Sequence, residues 1–98
     1  MRLPEQLDVV EKIEEGLGGI GRLRMLRTML EQSSEIFTKY RLTKATRLKH
    51  VDVSNNLNTL INLGWVKELH HEPPKYQINL ENEIVKNLAR FFQKIKYL

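Results

Sequence analysis

Apolar residues return along most of the chain at intervals of three and four, the spacing that predicts amphipathic helices. Leu3, Leu7, Val10, Ile13 and Leu17 form the first such stripe. Pro4 suits an opening helical turn and acids dominate the residues after it, so a helix is expected over about 4–16. Gly16, Gly18, Gly19 and Gly21 then interrupt the pattern and mark a stop and restart. A second amphipathic run covers about 20–32, with Ile20, Leu23, Leu26 and Leu30 inward and Met25 and Met29 near the boundary. Arg24, Arg27, Thr28 and Glu31 face outward. Ser33-Ser34 ends this helix, and Glu35-Ile36-Phe37 is too short and too β-leaning for more than an extended segment or a single bridge.

Thr38 reads as the N-cap of a short helix over about 39–46, on which Leu42 and Ala45 are apolar, Tyr40 is partly covered, and Lys39, Arg41 and Lys44 face out. A turn through Arg47 and Leu48 leads to a longer helix over about 49–63. Its buried stripe is Val53, Leu57, Leu60 and Ile61, which leaves His50, Ser54, Asn55 and Asn58 exposed, and Gly64 closes it. Residues 65–71 and 75–80 read as strands joined by a Glu72-Pro73-Pro74 loop, with Tyr76, Ile78 and Leu80 on one face. The last helix, about 81–97, carries Ile84, Leu88, Phe91, Ile95 and Leu98 at the spacing of a heptad seam, which asks for a partner helix. Val85 and Phe92 widen that face, so the chain's own core and a second subunit could both draw on it.

Charge adds direction to this pattern. The net charge is +4, yet the first nineteen residues hold two bases against five acids. Between Ile20 and Val51, eight bases face only Glu31 and Glu35, and a polyanion is the natural partner of such a stretch. The 98 residues, 41% of them apolar, suit one folded domain. Without cysteine there is no disulfide, thiolate zinc site or cysteine nucleophile, and an enzyme is not expected. No apolar run approaches a bilayer span and no secretory signal pattern opens the chain, so the expectation is a cytoplasmic protein without a membrane partner.

Helix, short strand, short helix, tight turn, longer helix, two-stranded wing and terminal helix is the element order of a winged helix-turn-helix. The expected fold class is therefore mainly α with a small antiparallel β wing, an extra N-terminal helix and a C-terminal dimerisation helix. The stretches FTKYRLTKATRL (37–48) and VSNNLNTLINLGWV (53–66) resemble the core of small MarR-like and ArsR-like archaeal and bacterial transcriptional regulators. The resemblance spans roughly residues 20–80. Its elements are Leu42 and Ala45 before the turn, Leu48 in it, Val53 and Leu57 after it, and the closing Leu63-Gly64-Trp65-Val66. Ala45 is expected where two helices cross closely. Two departures are Arg47, where the family usually has a small residue, often glycine, and Lys49, where a hydroxyl residue often caps the helix. Either Lys49 or Asp52 is then the cap.

The resemblance implies double-stranded DNA as the partner and a homodimeric regulator as the function. One domain covers 1–98, with an acidic helix and glycine hinge in 1–19, the DNA-binding core in 20–80 and the dimer helix in 81–98. Helix 49–63 would enter the major groove, with Lys49, His50, Val51, Asp52, Ser54, Asn55 and Asn58 as base-contact candidates, although Asp52 fits a capping role better. Lys39, Arg41, Lys44 and Arg47 would contact flanking phosphates, as would Lys67, His70, His71 and Lys75 around the wing. Arg22, Arg24 and Arg27 either join them or pair with the acidic first helix. Ile84, Leu88, Phe91, Ile95 and Leu98 would form the dimer interface, setting two recognition helices roughly 34 Å apart on an inverted repeat. The rival readings are a protein-protein interaction module and a sequence-neutral chromatin protein.

Other chemistry finds little support. His70-His71-Glu72 places neighbouring side chains on opposite strand faces, so no metal site is expected. The glycine cluster lacks the Lys-Ser/Thr pair and preceding strand of a phosphate loop, and no Ser/His/Asp set is suggested by spacing. No cofactor is expected, and an effector ligand is left open.

Overall fold

The computed structural model describes residues 4–98. Helix α1 (Pro4–Gly16) precedes α2 (Ile20–Glu31), α3 (Lys39–Thr46) and α4 (His50–Asn62), followed by strands β1 (Val66–Leu69) and β2 (Lys75–Ile78) and helix α5 (Glu83–Lys94). This is a winged helix-turn-helix with an added helix at each end. The apolar position Leu3 lies outside the described residues, and no side chain before Val9 is described.

Helix α2 is the hub, packing against α3, α4 and β2. Its buried face is Met25, Leu26, Met29 and Leu30, so the methionines placed at the boundary by sequence are fully enclosed. Ile20, expected inward, is 69% exposed, and Leu23 is only half-buried. The cause is Gly21. A Cβ there would stand 2.9 Å from Asn56 Nδ2 and 3.6 Å from Leu48 Cδ1, so the glycine edge of α2 lies on α4 and its neighbour Ile20 turns to solvent. The close helix approach expected at Ala45 is therefore made at Gly21. Ala45 is exposed, and Thr46 is buried in its place, its hydroxyl donating to the Leu42 carbonyl at 2.7 Å.

The turn between α3 and α4 is shaped by Arg47, whose φ of 60° and ψ of 22° lie in the left-handed region. That conformation explains why glycine is the usual occupant of this position in the family the sequence resembles. Gly64, at φ 77°, ends α4 in a complete Schellman arrangement. Trp65 N donates to Leu60 O at 2.9 Å and Gly64 N to Ile61 O at 2.9 Å. Trp65 is then fully buried against the end of α1, where a Cβ on Gly16 would overlap the indole ring.

Strands β1 and β2 pair antiparallel, Val66 opposite Ile78 and Leu69 opposite Lys75. Both are shorter than the alternation suggests. Asn79 still donates from its backbone N to Trp65 O at 2.8 Å and from Nδ2 to Gly64 O at 2.8 Å, and beyond it the chain turns and leaves Leu80 exposed, off the face of Tyr76 and Ile78. On the far side of β2, Phe37 and Tyr76 exchange backbone hydrogen bonds of 2.8 and 2.7 Å, the single bridge expected of that segment. Helix α5 starts two residues later than expected, at an Asn82 cap that accepts from Ile84 N and Val85 N, and it ends at Lys94. Lys96 is left-handed and Tyr97 N donates back to Phe92 O at 2.8 Å, so the heptad spacing does not run on a helix to Leu98.

Candidate nucleic-acid interface

Helix α4 buries Val53, Leu57 and Leu60 and exposes the opposite side, where Val51, Asn55, Asn58 and Asn62 succeed one another at four, three and four residues. Val51 is 59% exposed, an apolar side chain held in solvent on an otherwise polar stripe. His50 and Ser54 lie on one flank. On the other flank Asn56 faces α2 and accepts from Arg22 Nε at 3.1 Å. Arg22 also donates to the Glu15 carbonyl and so fastens the end of α1 to α4.

The start of α4 is settled by its backbone. Lys49 is the N-cap in an extended conformation and supplies no side-chain bond, while Val53 N donates to Lys49 O at 3.0 Å. Asp52 is therefore not the cap. It stands in the first turn, where the positive end of the helix dipole favours a carboxylate.

Helix α3 is capped by Thr38, whose Oγ1 accepts from Arg41 N at 3.1 Å. Its first turn, the first turn of α4 and the loop of the β hairpin meet around a cleft of about 280 Å³, lined by Lys39, Tyr40, His50, Pro73, Pro74 and Tyr76 among others. Tyr40, expected to be partly covered, is 69% exposed, with Lys44 Nζ 5.5 Å from its ring centre. At the cleft's floor, burial holds the Tyr76 phenol above the usual tyrosine value, and the Glu68 carboxylate opposite it on β1 adds to the effect. The phenol therefore stays neutral.

The cations around this surface differ in what they touch. Lys44, Arg47 and Lys49 are exposed and their side chains make no hydrogen bond or ion pair among the described residues. Arg41 is turned back toward the junction of α2 and α3. It donates to Gln32 Oε1 at 3.0 Å and Glu35 Oε2 at 3.3 Å, and its guanidinium stands 4.6 Å over the Phe37 ring. On the hairpin, His70 and His71 are exposed and Lys75 is half-buried, while Lys67 Nζ lies 3.9 Å from Glu81. Among the described residues no group of three or more His, Cys, Asp or Glu is arranged to hold a metal, and no helix is long and apolar enough to cross a membrane.

The residues expected at a dimer interface divide into two sets. Ile84, Leu88 and Leu98 are half-buried against the chain's own core, beside the buried Val85 and Phe92. Phe91 and Ile95, at 53% and 54% exposure, point away from it.

Sequence reasoning placed the exposed polar residues of α4 on one face but missed Tyr40 and the two prolines as cleft residues. The signal for Tyr40 was its position between Lys39, Arg41 and Lys44 on a helix too short to bury more than one turn. Arg22 and Asn56 gave no signal, since their contact joins residues 34 apart in the chain.

No protein-family model and no curated protein sequence matches the chain. Solved structures do match it. A 1–100 fragment of a possible transcriptional regulatory protein from Mycobacterium bovis is 21% identical, with a TM-score of 0.69 over 99% of this chain and all of that one. An ArsR family transcriptional regulator is 18% identical, with a TM-score of 0.60 over 98% of this chain and 94% of that one. At these identities the similarity establishes the shared fold.

Proposed function

We propose that this chain is a sequence-specific double-stranded DNA-binding regulator of transcription that acts as a homodimer in the cytoplasm. The observation that carries the reading is the exposed face of α4. A stripe of Val51, Asn55 and Asn58 stands clear of the core, with Lys44, Arg47 and Lys49 exposed and making no hydrogen bond or ion pair among the described residues. Asparagine pairs bidentately with adenine N6 and N7 and a branched apolar side chain meets a thymine methyl, so this stripe suits an A·T-containing major groove. Lys39, Tyr40 and His50 at the cleft, with His70, His71 and Lys75 on the wing, fit a phosphate backbone running past the helix ends. Phe91 and Ile95 supply the apolar face for the second copy. That regulators of transcription share the fold agrees with this reading.

Selection of bound duplexes from a random pool at two salt concentrations tests it. Enrichment of an inverted repeat, with affinity falling steeply as salt rises, is the expected result. Salt-sensitive binding without enrichment would replace the proposal with a sequence-neutral chromatin protein. An absence of binding at low salt would replace it with a protein-interaction module.

A further inference from the structure

The core side of α4 is held by the buried Val53, Leu57 and Leu60. Apolar contacts have no preferred direction, so by themselves they leave the rotation of a helix about its own axis loosely set. Rotation matters on a helix that is to read base edges. A side chain reaches about 5–6 Å from the axis, so a turn of about 10° carries the Asn55 or Asn58 amide sideways by about 1 Å. Paired hydrogen bonds to a base edge tolerate about half of that.

One directional contact supplies what the apolar stripe lacks. Asn56 lies three residues after Val53 and four before Leu60, so its half-buried side chain borders the stripe and faces α2. Its Oδ1 accepts from Arg22 Nε at 3.1 Å, and its Nδ2 lies against Gly21, where a Cβ would stand 2.9 Å away. The Arg22 guanidinium is itself held, because Nη1 donates to the Glu15 carbonyl in the last turn of α1, which Gly18 N reaches only at 3.4 Å. Arg22 thus ties α1, α2 and α4 together with two donors in the rigid fork of one planar group. It is half-buried, whereas Arg24, two residues on, is exposed.

From this geometry we infer that Arg22 and Asn56 are positioning residues for base reading: their bond sets the rotation of α4 about its axis, and with it the register in which Asn55 and Asn58 meet the groove. Gly21 belongs to the same arrangement as the residue small enough to let Asn56 approach α2. Arg22 is then not a phosphate contact, although its charge and place in the sequence allow one. The inference rests on the proposed function, since it assigns a role within the same surface.

The test uses the full chain, the single variants Arg22→Met, Asn56→Ala and Asn56→Asp, and the double variant Arg22→Met/Asn56→Ala, each checked for folding by circular dichroism. Selection from a random pool supplies the preferred duplex, and discrimination is the ratio of its affinity to that of duplexes changed at the base pairs read by Asn55 and Asn58. Arg22→Met and Asn56→Ala are each expected to lower this ratio at both base pairs together by at least about fivefold, with the salt slope unchanged. The double variant should lose no more than either single one, because both remove the same bond; for the same reason either single variant suffices if the other does not fold. Asn56→Asp keeps the acceptor and should keep the ratio within about twofold. In the free chain, Arg22→Met should shift the backbone amide resonances of α4 from Val51 to Asn62 together. A salt slope smaller by about one unit in Arg22→Met with an intact ratio would make Arg22 a phosphate contact. A lower melting temperature with an intact ratio would make the pair merely structural. Equal loss of discrimination in Asn56→Asp and Asn56→Ala, or resonance shifts confined to the neighbours of Asn56, would show that the bond does not orient the helix. Each of these results overturns the inference. A wild-type chain with no preferred duplex would overturn the proposed function and the inference with it, and is recognised before any variant is made.

Discussion

Helices α4 and α5 have almost the same length and each buries one side on the core, but their outward sides differ in the apolar residues they leave in solvent. On α4 the exposed stripe is three asparagines and one valine; at α5 Phe91 and the C-cap Ile95 stand exposed beside the charged and polar Lys86, Asn87, Arg90 and Lys94. Neither the asparagines nor these two apolar side chains are what a solvated face requires. Asparagine is a poor helix former and gives α4 no stability in exchange, while exposed aromatic and branched aliphatic side chains leave apolar area in water. A helix keeps such residues at no benefit to its own fold, so each face suits a different partner: a hydrogen-bonding surface for α4, an apolar one for α5.

The largest expected effect separates these roles. Phe91→Asp with Ile95→Asp should leave the monomer folded, because both side chains are already about half exposed. It should weaken self-association by at least about 2 kcal/mol, as the loss of an aromatic anchor does. Analytical ultracentrifugation checks this, and affinity for a duplex with two half-sites should fall much further than affinity for one half-site. If the wild-type chain sediments as an 11.6 kDa monomer at high concentration, the comparison fails on the α5 side.

Substitutions on α4 should act on sequence preference instead. Asn55→Ala and Asn58→Ala are each expected to cost about 1–3 kcal/mol of discrimination at one base pair while leaving the slope of affinity against salt nearly unchanged. Selection from a random pool measures the first and titration at several salt concentrations the second. A changed salt slope with intact base preference would mean that another face of α4 enters the groove.

Arg47→Gly divides stability from binding at one position. Removing a side chain from φ 60° relieves a left-handed strain, partly offset by the greater freedom of glycine in the unfolded chain, and the net gain should be about 1 kcal/mol in denaturant unfolding. If Arg47 contacts a phosphate, DNA affinity should drop alike for all sequences and the salt slope should shrink by about one unit. Unchanged stability would show that the turn carries no strain.

The range of each interaction decides whether it is legible in the sequence. Each element was readable because periodicity, caps and glycines are local: Thr38, Gly64 and the spacing of Val53, Leu57 and Leu60 report on their own turns. The face that α2 presents was misread because Gly21, which sets it, is chosen by Asn56 and Leu48 far along the chain. Leu80 and Leu98 continue a period in sequence after the element that gave the period meaning has ended, so their alternation misled. Asn55 and Asn58 do lie on the outer side of α4, since exposure there is the complement of a local buried stripe. Which basic residues remain free for a phosphate was not readable, because freedom depends on partners elsewhere.

Arg41 is the case that turns on this last point, and it gives the smallest expected effect. Sequence places it with Lys44 and Arg47 as a phosphate contact, yet its guanidinium is engaged with Gln32, Glu35 and the Phe37 ring at the junction of α2 and α3. The side chains of Arg41 and Glu35 are both about half exposed, so water screens the ion pair and its contribution is small; with the ring contact the total is about 1 kcal/mol or less. Arg41→Ala should therefore lower the melting temperature by about 4–8 °C at most for a domain of this size. The salt slope of DNA binding should stay unchanged, whereas Lys44→Ala should reduce it by about one unit. Equal losses of slope in the two variants would mean that Arg41 leaves Glu35 for the DNA backbone, and that the contacts seen in the free chain are only its resting position.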